Sequence, residues 1–226
     1  MYKQIADSIP SLGHGGKEIS NYLMEAARSL STGNDIIEIG PWLGSATSYL
    51  ALGLRYSDNY KSTIHCYDRW LADSVFSNKA LTAHGIKFEL NENILPYFKK
   101  NISPFGINYK TYRGDFRKSE EYEGQSIGLV IDDICSGKPM TDHLFKNYSP
   151  YFISGATLIY MMDFYFYETH DLSCRLYQRD FTEANKKCLH FEGRINNSRT
   201  AVFRWIGGEL NYLPEEPYNE YFKEII

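Results

Sequence analysis

Cysteine is scarce in this chain and scattered where it occurs. Cys66, Cys135, Cys174 and Cys188 form no C-x-x-C pair, which argues against a disulfide scaffold or a zinc site and suits buried thiols in a reducing compartment. No apolar stretch approaches the ~20 residues needed to cross a bilayer. The opening MYKQIADSIPSLGHGG lacks the basic-then-apolar order of a secretory signal, so the cytoplasm is the expected compartment. Basic clusters are missing too. With a formal net charge of −4 there is no electrostatic reason to expect nucleic acid or a membrane surface as partner. No repeat or low-complexity tract interrupts the 226 residues, and at 43% hydrophobic they predict one domain with one sizeable core.

Aromatic side chains are plentiful by contrast. Nineteen Tyr, 13 Phe and 3 Trp make up 15% of the chain. Many must line the core, but phenols also serve as wet contacts in pockets for sugars or flat ligands. They are densest in DFYFYETHD, from Asp163 to Asp171. Four consecutive rings cannot all be buried on one face, so some are expected to meet a ligand.

Apolar spacing over Lys17–Leu30 predicts an amphipathic helix with Ile19, Leu23, Ala26, Ala27 and Leu30 on one face. DIIEIG then reads as a strand, and SATSYLALGLRY as a helix that Ser45 or Thr47 could cap. STIHCYD, INYKTYRGD, SIGLVIDD and GATLIYMMD read as further strands. Helical patterns fall in ELNENILPYFKKNIS, MTDHLFKNYSPYF and LSCRLYQRDFTEANKKC, and Arg69–Phe88 reads as irregular. Strand and helix alternate through five strands, which calls for a parallel, doubly wound sheet. LHFEGRIN and RTAVFRWIG are too close for a crossover helix and must be antiparallel. The Pro-, Glu- and Tyr-rich tail is expected to pack as an arm.

In such a sheet, ligands bind beyond the carboxyl ends of the strands, where strand order reverses. The turn after the first strand is the candidate. A dinucleotide fingerprint needs G-x-G-x-x-G, its middle glycine admitting a pyrophosphate; here Trp42 stands in that place, between Gly40 and Gly44. What remains is Glu38-x-Gly40-x-x-x-Gly44. A carboxylate just ahead of the turn suits a cationic group on the ligand. Asp68, Asp115 and the pair Asp132–Asp133 supply further acids at or just beyond the ends of later strands.

From about Lys17 to Gly207 the chain resembles the class I S-adenosylmethionine-dependent methyltransferases. The resemblance implies an α/β fold: a single Rossmann-like, doubly wound, seven-stranded sheet, mostly parallel with a terminal antiparallel strand and helices on both faces. It also implies an N-terminal helical extension (1–34) on the lid or acceptor side, a catalytic domain (35–208) and a tail (209–226). S-adenosylmethionine is the implied cofactor. Glu38, Gly40, Trp42 and Gly44 would form its turn, Asp68 would take the ribose hydroxyls with Arg69 flanking, and Asp115 would accept from the adenine amino group beneath Phe116. Asp132 would sit beside the methyl group.

The pattern is similar to the metal-assisted O-methyltransferases of the catechol, macrolide-sugar (macrocin) and aminocoumarin type. That implies Mg²⁺ on Asp132 and Asp163, with Asp133 as a third oxygen ligand or as base; His143 and His170, starting near the same sheet edge, are the other candidate bases, and His14 belongs to a linker or to a lid. Met162 departs from the subset by occupying a second acidic position, and a thioether is a poor ligand for a hard cation. The same acids could therefore line a metal-free pocket. The implied reaction is O-methylation of a small hydroxylated metabolite or sugar, with a homodimer surface available on the N-terminal helix and tail. Two other classes stay open: a non-catalytic nucleoside-binding or scaffold protein, and a nicotinamide-dependent oxidoreductase. Trp42 opposes the oxidoreductase, as does the lack of a Tyr-x-x-x-Lys pair after the fourth strand.

Overall fold

A computed structural model describes residues 1–11, 16–72, 85–119, 121–134, 137–169, 173–196 and 198–218. The elements in chain order are α1 (Tyr2–Ser8), α2 (Gly16–Arg28), β1 (Asp35–Ile39), α3 (Ser45–Tyr56), β2 (Thr63–Asp68) and α4 (Leu95–Ile102). They continue with β3 (Asn108–Arg113), β4 (Ile127–Asp132), α5 (Lys138–Tyr148), β5 (Leu158–Met161), α6 (Ser173–Ala184), β6 (Leu189–Arg194) and β7 (Ala201–Trp205). Short 3₁₀ turns follow β3 at Phe116–Lys118 and β5 at Phe164–Glu168. α1 has no counterpart in the sequence reading. The helix read within residues 89–103 starts at Leu95 with Pro96 in its first turn, one of the two roles, start or interruption, that the sequence allows this proline.

The sheet runs β3-β2-β1-β4-β5-β7-β6. β1 to β5 are mutually parallel, and β7 lies between β5 and β6, antiparallel to both. This is the expected doubly wound sheet with one inserted antiparallel strand. Strand order reverses between β1 and β4, so their carboxyl ends flank the crevice.

Alternation along each strand assigns its side chains to two layers. Ile36, Ile64, Leu129 and Ile131 meet α2, α3 and α4 through Leu23, Ala27, Leu50, Leu54 and Phe98. Ile37, Ile39, Val130, Ile159 and Phe203 meet α5 and α6 through Leu144, Phe145, Tyr177 and Phe181. The outer segments share these layers. Ala6 and Ile9 belong to the first, and Leu210, Tyr212, Leu213 and Tyr218 to the second. The tail is tied down by polar contacts as well. Asn185 exchanges two hydrogen bonds with Asn211, at 2.9 and 2.7 Å, and Lys138 Nζ donates to the Leu213 carbonyl at 2.7 Å. No described helix is long and apolar enough to cross a membrane.

Candidate functional site

The crevice is built by the glycine turn, and the chain itself explains both glycines. Gly40 has φ +83°, and a Cβ there would sit 2.6 Å from the Asp133 carbonyl oxygen, so the loop after β4 leaves no room for a side chain. Gly44 has φ +91°, and a Cβ would strike Ile102 of α4 at 2.8 Å. What comes close to these glycines is protein. Trp42 is also left-handed, at φ +48°, which is costly for a bulky residue. Asp68 steadies that bend by accepting from the Trp42 N–H at 3.1 Å and the Trp70 N–H at 2.7 Å. Burial pushes the Asp68 carboxyl above its ordinary value, while those N–H groups and Arg69 pull it back in part. A carboxylate oxygen has more than one acceptor site, so both can still take ligand hydroxyls. Arg69 is exposed beside it.

Glu38 points to the α3 layer and is only 1% exposed. The capping expected of Ser45 or Thr47 does not occur. Gly44 is the N-cap without a side-chain bond, and the Thr47 hydroxyl donates instead to Glu38 Oε2 at 2.7 Å. Oε1 is buried with no partner. Burial pushes the carboxyl up to about 7, with Thr47 and Cys66 opposing. An unsatisfied oxygen in so dry a place is costly and fits a hydrogen-bond donor or cation brought by a ligand.

On the opposite layer Asp132, 3% exposed, accepts from Gln178 Nε2 of α6 at 2.8 Å. Asp133 follows it and is exposed at the surface. Desolvation by the protein around it, then the charges of Asp163, Asp132, Glu38 and Asp68, push Asp133 well above the usual carboxylate range. Asp163 stands at the end of β5, heading the 3₁₀ turn. Five acids from β1, β2, β4 and β5 thus act on one another at one edge of the sheet.

The other expected residues have partners of their own. Asp115 is held by Arg117 at 2.5 and 2.9 Å, and that guanidinium keeps it below the usual range. Phe116 is buried against Tyr148, Tyr67 and His143, so at most an edge is left to a ligand. His143 sits mid-helix on α5, its Nδ1 3.0 Å from Asn147 Nδ2 and its Nε2 3.1 Å from Ser119 Oγ. Burial lowers its proton affinity, Asp115 partly opposing. It lines a cavity of about 520 Å³ with Arg117, Lys138 and the tail's Glu215 and Tyr218, away from the five acids. His14 and His170 lie outside the described residues, as does most of the irregular stretch after Ala72.

Mg²⁺ is a poor match for these side chains. Met162 offers only sulfur at the second acidic position, and no described group of three His, Cys, Asp or Glu residues is arranged to hold a metal. Gln178 was invisible in the sequence, being 46 residues from the acid it serves.

The strand order and the inserted antiparallel β7 are those of the class I methyltransferase fold. Comparison with solved structures agrees. The O-methyltransferase NovP superposes with a TM-score of 0.64 at 13% identity, over 85% of this chain and 81% of that one. CalS11, described as the TDP-rhamnose 3'-O-methyltransferase of calicheamicin biosynthesis, gives 0.52 at 14%, over 83% and 77%. The Podospora anserina methyltransferase PaMTH1, solved with S-adenosylhomocysteine (SAH), gives 0.56 at 13%, over 83% and 77%. No family model and no curated protein matches the sequence. At such identities the likeness establishes the fold.

Proposed function

We propose that this protein is an S-adenosylmethionine-dependent methyltransferase acting on a hydroxyl of a small metabolite or sugar. The observation that carries the reading is the unpartnered, buried oxygen of Glu38 within a ring of five acids at the crevice. Such a field favours a ligand with ammonium and sulfonium charges and repels a pyrophosphate. The methyl-transfer activities ascribed to NovP, CalS11 and PaMTH1 support the reaction class, and the CalS11 description supports a sugar hydroxyl as acceptor.

In this reading Glu38 holds the cofactor's ammonium group, Asp68 its ribose hydroxyls, and the 40–44 turn its amino-acid end. Bound there, the cofactor supplies an electrophilic methyl group on its sulfonium sulfur. Asp132, fixed by Gln178, orients the acceptor hydroxyl toward that methyl group. Asp133 binds a proton more tightly than an ordinary aspartate, and its carboxylate oxygen would take the hydroxyl proton as the new O–C bond forms and the methyl C–S bond breaks, its electron pair staying on sulfur. A non-catalytic nucleoside-binding protein is the second reading, and Met162 is the specific observation in its favour.

Thermal unfolding with SAH, and with NAD as control, tests the pocket. Only SAH is expected to raise Tm, because it alone binds the folded state. Methyl transfer from labelled cofactor to a panel of hydroxylated acceptors tests catalysis. Transfer is expected to persist in EDTA, and loss restored by Mg²⁺ would overturn the metal-free site. Asp132→Asn is expected to reduce transfer at least a hundredfold while leaving SAH affinity within about threefold. Unchanged transfer would remove Asp132 from the mechanism, and SAH binding with no acceptor methylated would favour the non-catalytic reading.

A further inference from the structure

A second cavity, of about 580 Å³, opens on the α6 layer at the far end of the sheet. It lies between the 3₁₀ turn after β5, the second half of α6 and strands β6 and β7. β6 is three strands from β4, roughly 14 Å at about 4.8 Å per strand, while the near wall of the cavity begins at Phe164, next to Asp163. Five rings are among its lining residues: Phe164, Tyr165, Tyr167, Phe191 and Phe203. From this geometry we infer that the cavity binds an uncharged, flat aromatic compound bearing hydroxyl or similar polar groups.

Three observations select that ligand. First, the volume falls within the ~300–1,000 Å³ typical of small-molecule sites, and the rings are placed for more than mutual packing. Phe164 packs edge-on against Phe203 at 5.3 Å, and Phe203 meets Phe191 at 5.5 Å. Phe191 nonetheless stays 48% exposed, a large apolar surface left for something else to cover. The Arg194 guanidinium lies 4.0 Å from the Tyr165 ring centre and is tied to Glu168 at 2.9 Å, which fixes that wall.

Second, the charges at the rim are spent on one another. Arg179 pairs with Asp180 at 2.7 Å, and Asp180 also accepts from Tyr218 at 2.8 Å. Lys186 pairs with Glu183 at 2.6 Å. A charged ligand would have to break these pairs, whereas a neutral one need not.

Third, five phenyl and phenol rings line the cavity, while most of its polar side chains are engaged: Arg179 with Asp180, Lys186 with Glu183, and Thr182 with the Arg179 carbonyl at 2.9 Å, His190 being the remaining polar group. Sugar recognition needs several fixed donor–acceptor groups around one stacking platform, so an aromatic ligand matches the lining better than a carbohydrate. This inference does not depend on methyl transfer, because the site is assigned by binding alone.

The test is calorimetric titration of the full chain with 2-naphthol, which is neutral at pH 7. Saturable binding of one equivalent is expected, with no comparable binding of decahydro-2-naphthol or methyl glucoside. Phe191→Ala and Tyr167→Ala should each weaken binding about fivefold, in keeping with the energy of an aromatic pair. Tyr56→Ala, at an exposed tyrosine on α3, should leave binding unchanged. The far-ultraviolet spectrum and Tm of Phe191→Ala are expected to match the parent, since the lost ring is half in water. Absence of saturable binding, equal affinity for the saturated alcohol, tighter binding of methyl glucoside, or wild-type affinity in Phe191→Ala would overturn the assignment. So would a dimer in sedimentation that Phe191→Ala dissociates, which would give the face to a second copy of the chain.

Discussion

Glu38 makes the clearest claim at the level of single residues. Its carboxyl holds a proton up to about pH 7 in the folded chain, against about 4.5 unfolded. Folding therefore takes up a proton between those values, and stability declines as pH rises through that window. At about 1.4 kcal/mol per unit the loss over the whole window is about 3–4 kcal/mol. Urea unfolding at pH 5 and pH 8 should show the decline, and Glu38→Gln should remove that part of it. The raised carboxyls of Asp68 and Asp133 contribute in the same direction and remain in the variant. A cationic ligand reverses the preference, because it needs the carboxylate. SAH, which keeps the ammonium group, should bind more tightly as pH rises toward 8. Below pH 7 its binding should release a proton, read as a heat that changes with the ionisation enthalpy of the buffer.

Single residues also mark where the sequence stops being informative. Asp68 and the Asp132–Asp133 pair were legible as strand-end acids because their positions follow from the period of two and the end of the apolar run. What each carboxylate touches was not. Asp115 is engaged by Arg117 two residues on, and Thr47 turns to Glu38 instead of capping its helix. The partner of Asp132 comes from a different helix. Local pattern fixes which face a side chain occupies, and these partners are set by packing between elements distant in the chain.

Among the elements, the pairing of α2 with α3 is the tightest described. A Cβ on Gly53 would lie 2.2 Å from the Met24 carbonyl oxygen and 2.8 Å from the Ala27 side chain. The two helices meet backbone to backbone there, which holds the N-terminal segment onto the core. Gly53→Ala keeps a conformation alanine accepts readily, and would gain helix propensity in isolation. The contact should override that gain and cost about 2–3 kcal/mol, the usual penalty for overpacking. Chemical denaturation would check the sign, and a stabilised variant would show that α2 can shift without loss. The amphipathic stripe of α2 was legible from its apolar spacing, whereas α1, seven residues long, offers too few turns for a period to emerge.

Over the whole molecule, the sheet edge opposite the crevice is locked by a buried polar cluster. Asp35 accepts from the Thr63 N–H at 2.9 Å, the Tyr122 hydroxyl at 2.8 Å and the Gln125 N–H at 3.2 Å, with His65 Nε2 at 3.0 Å. Tyr112 holds the other nitrogen of His65 at 2.9 Å. Burial pushes the Asp35 carboxyl up, but the four hydrogen bonds together draw it below its ordinary value. A depressed carboxyl stabilises the fold above its unfolded value near 3.8, and that contribution is lost as pH falls through the lower folded value. Asp35→Asn should cost about 2–3 kcal/mol at pH 7 and shrink the difference from the parent below pH 3.5, measured by circular dichroism in an acid titration. The parallel, doubly wound arrangement was legible from the alternation of strands with helices, but nothing in the sequence pointed to this cluster, whose members come from three strands and a loop.

The position of β7 has a consequence for how the chain matures. Its residues emerge last among the strands, yet they fill the slot between β5 and β6. Until they do, β5 carries one bare flank and β6 has nowhere to dock. A nascent chain halted before Ala201 therefore presents sticky backbone, and the final hydrogen bonds of the sheet wait on its closing segment.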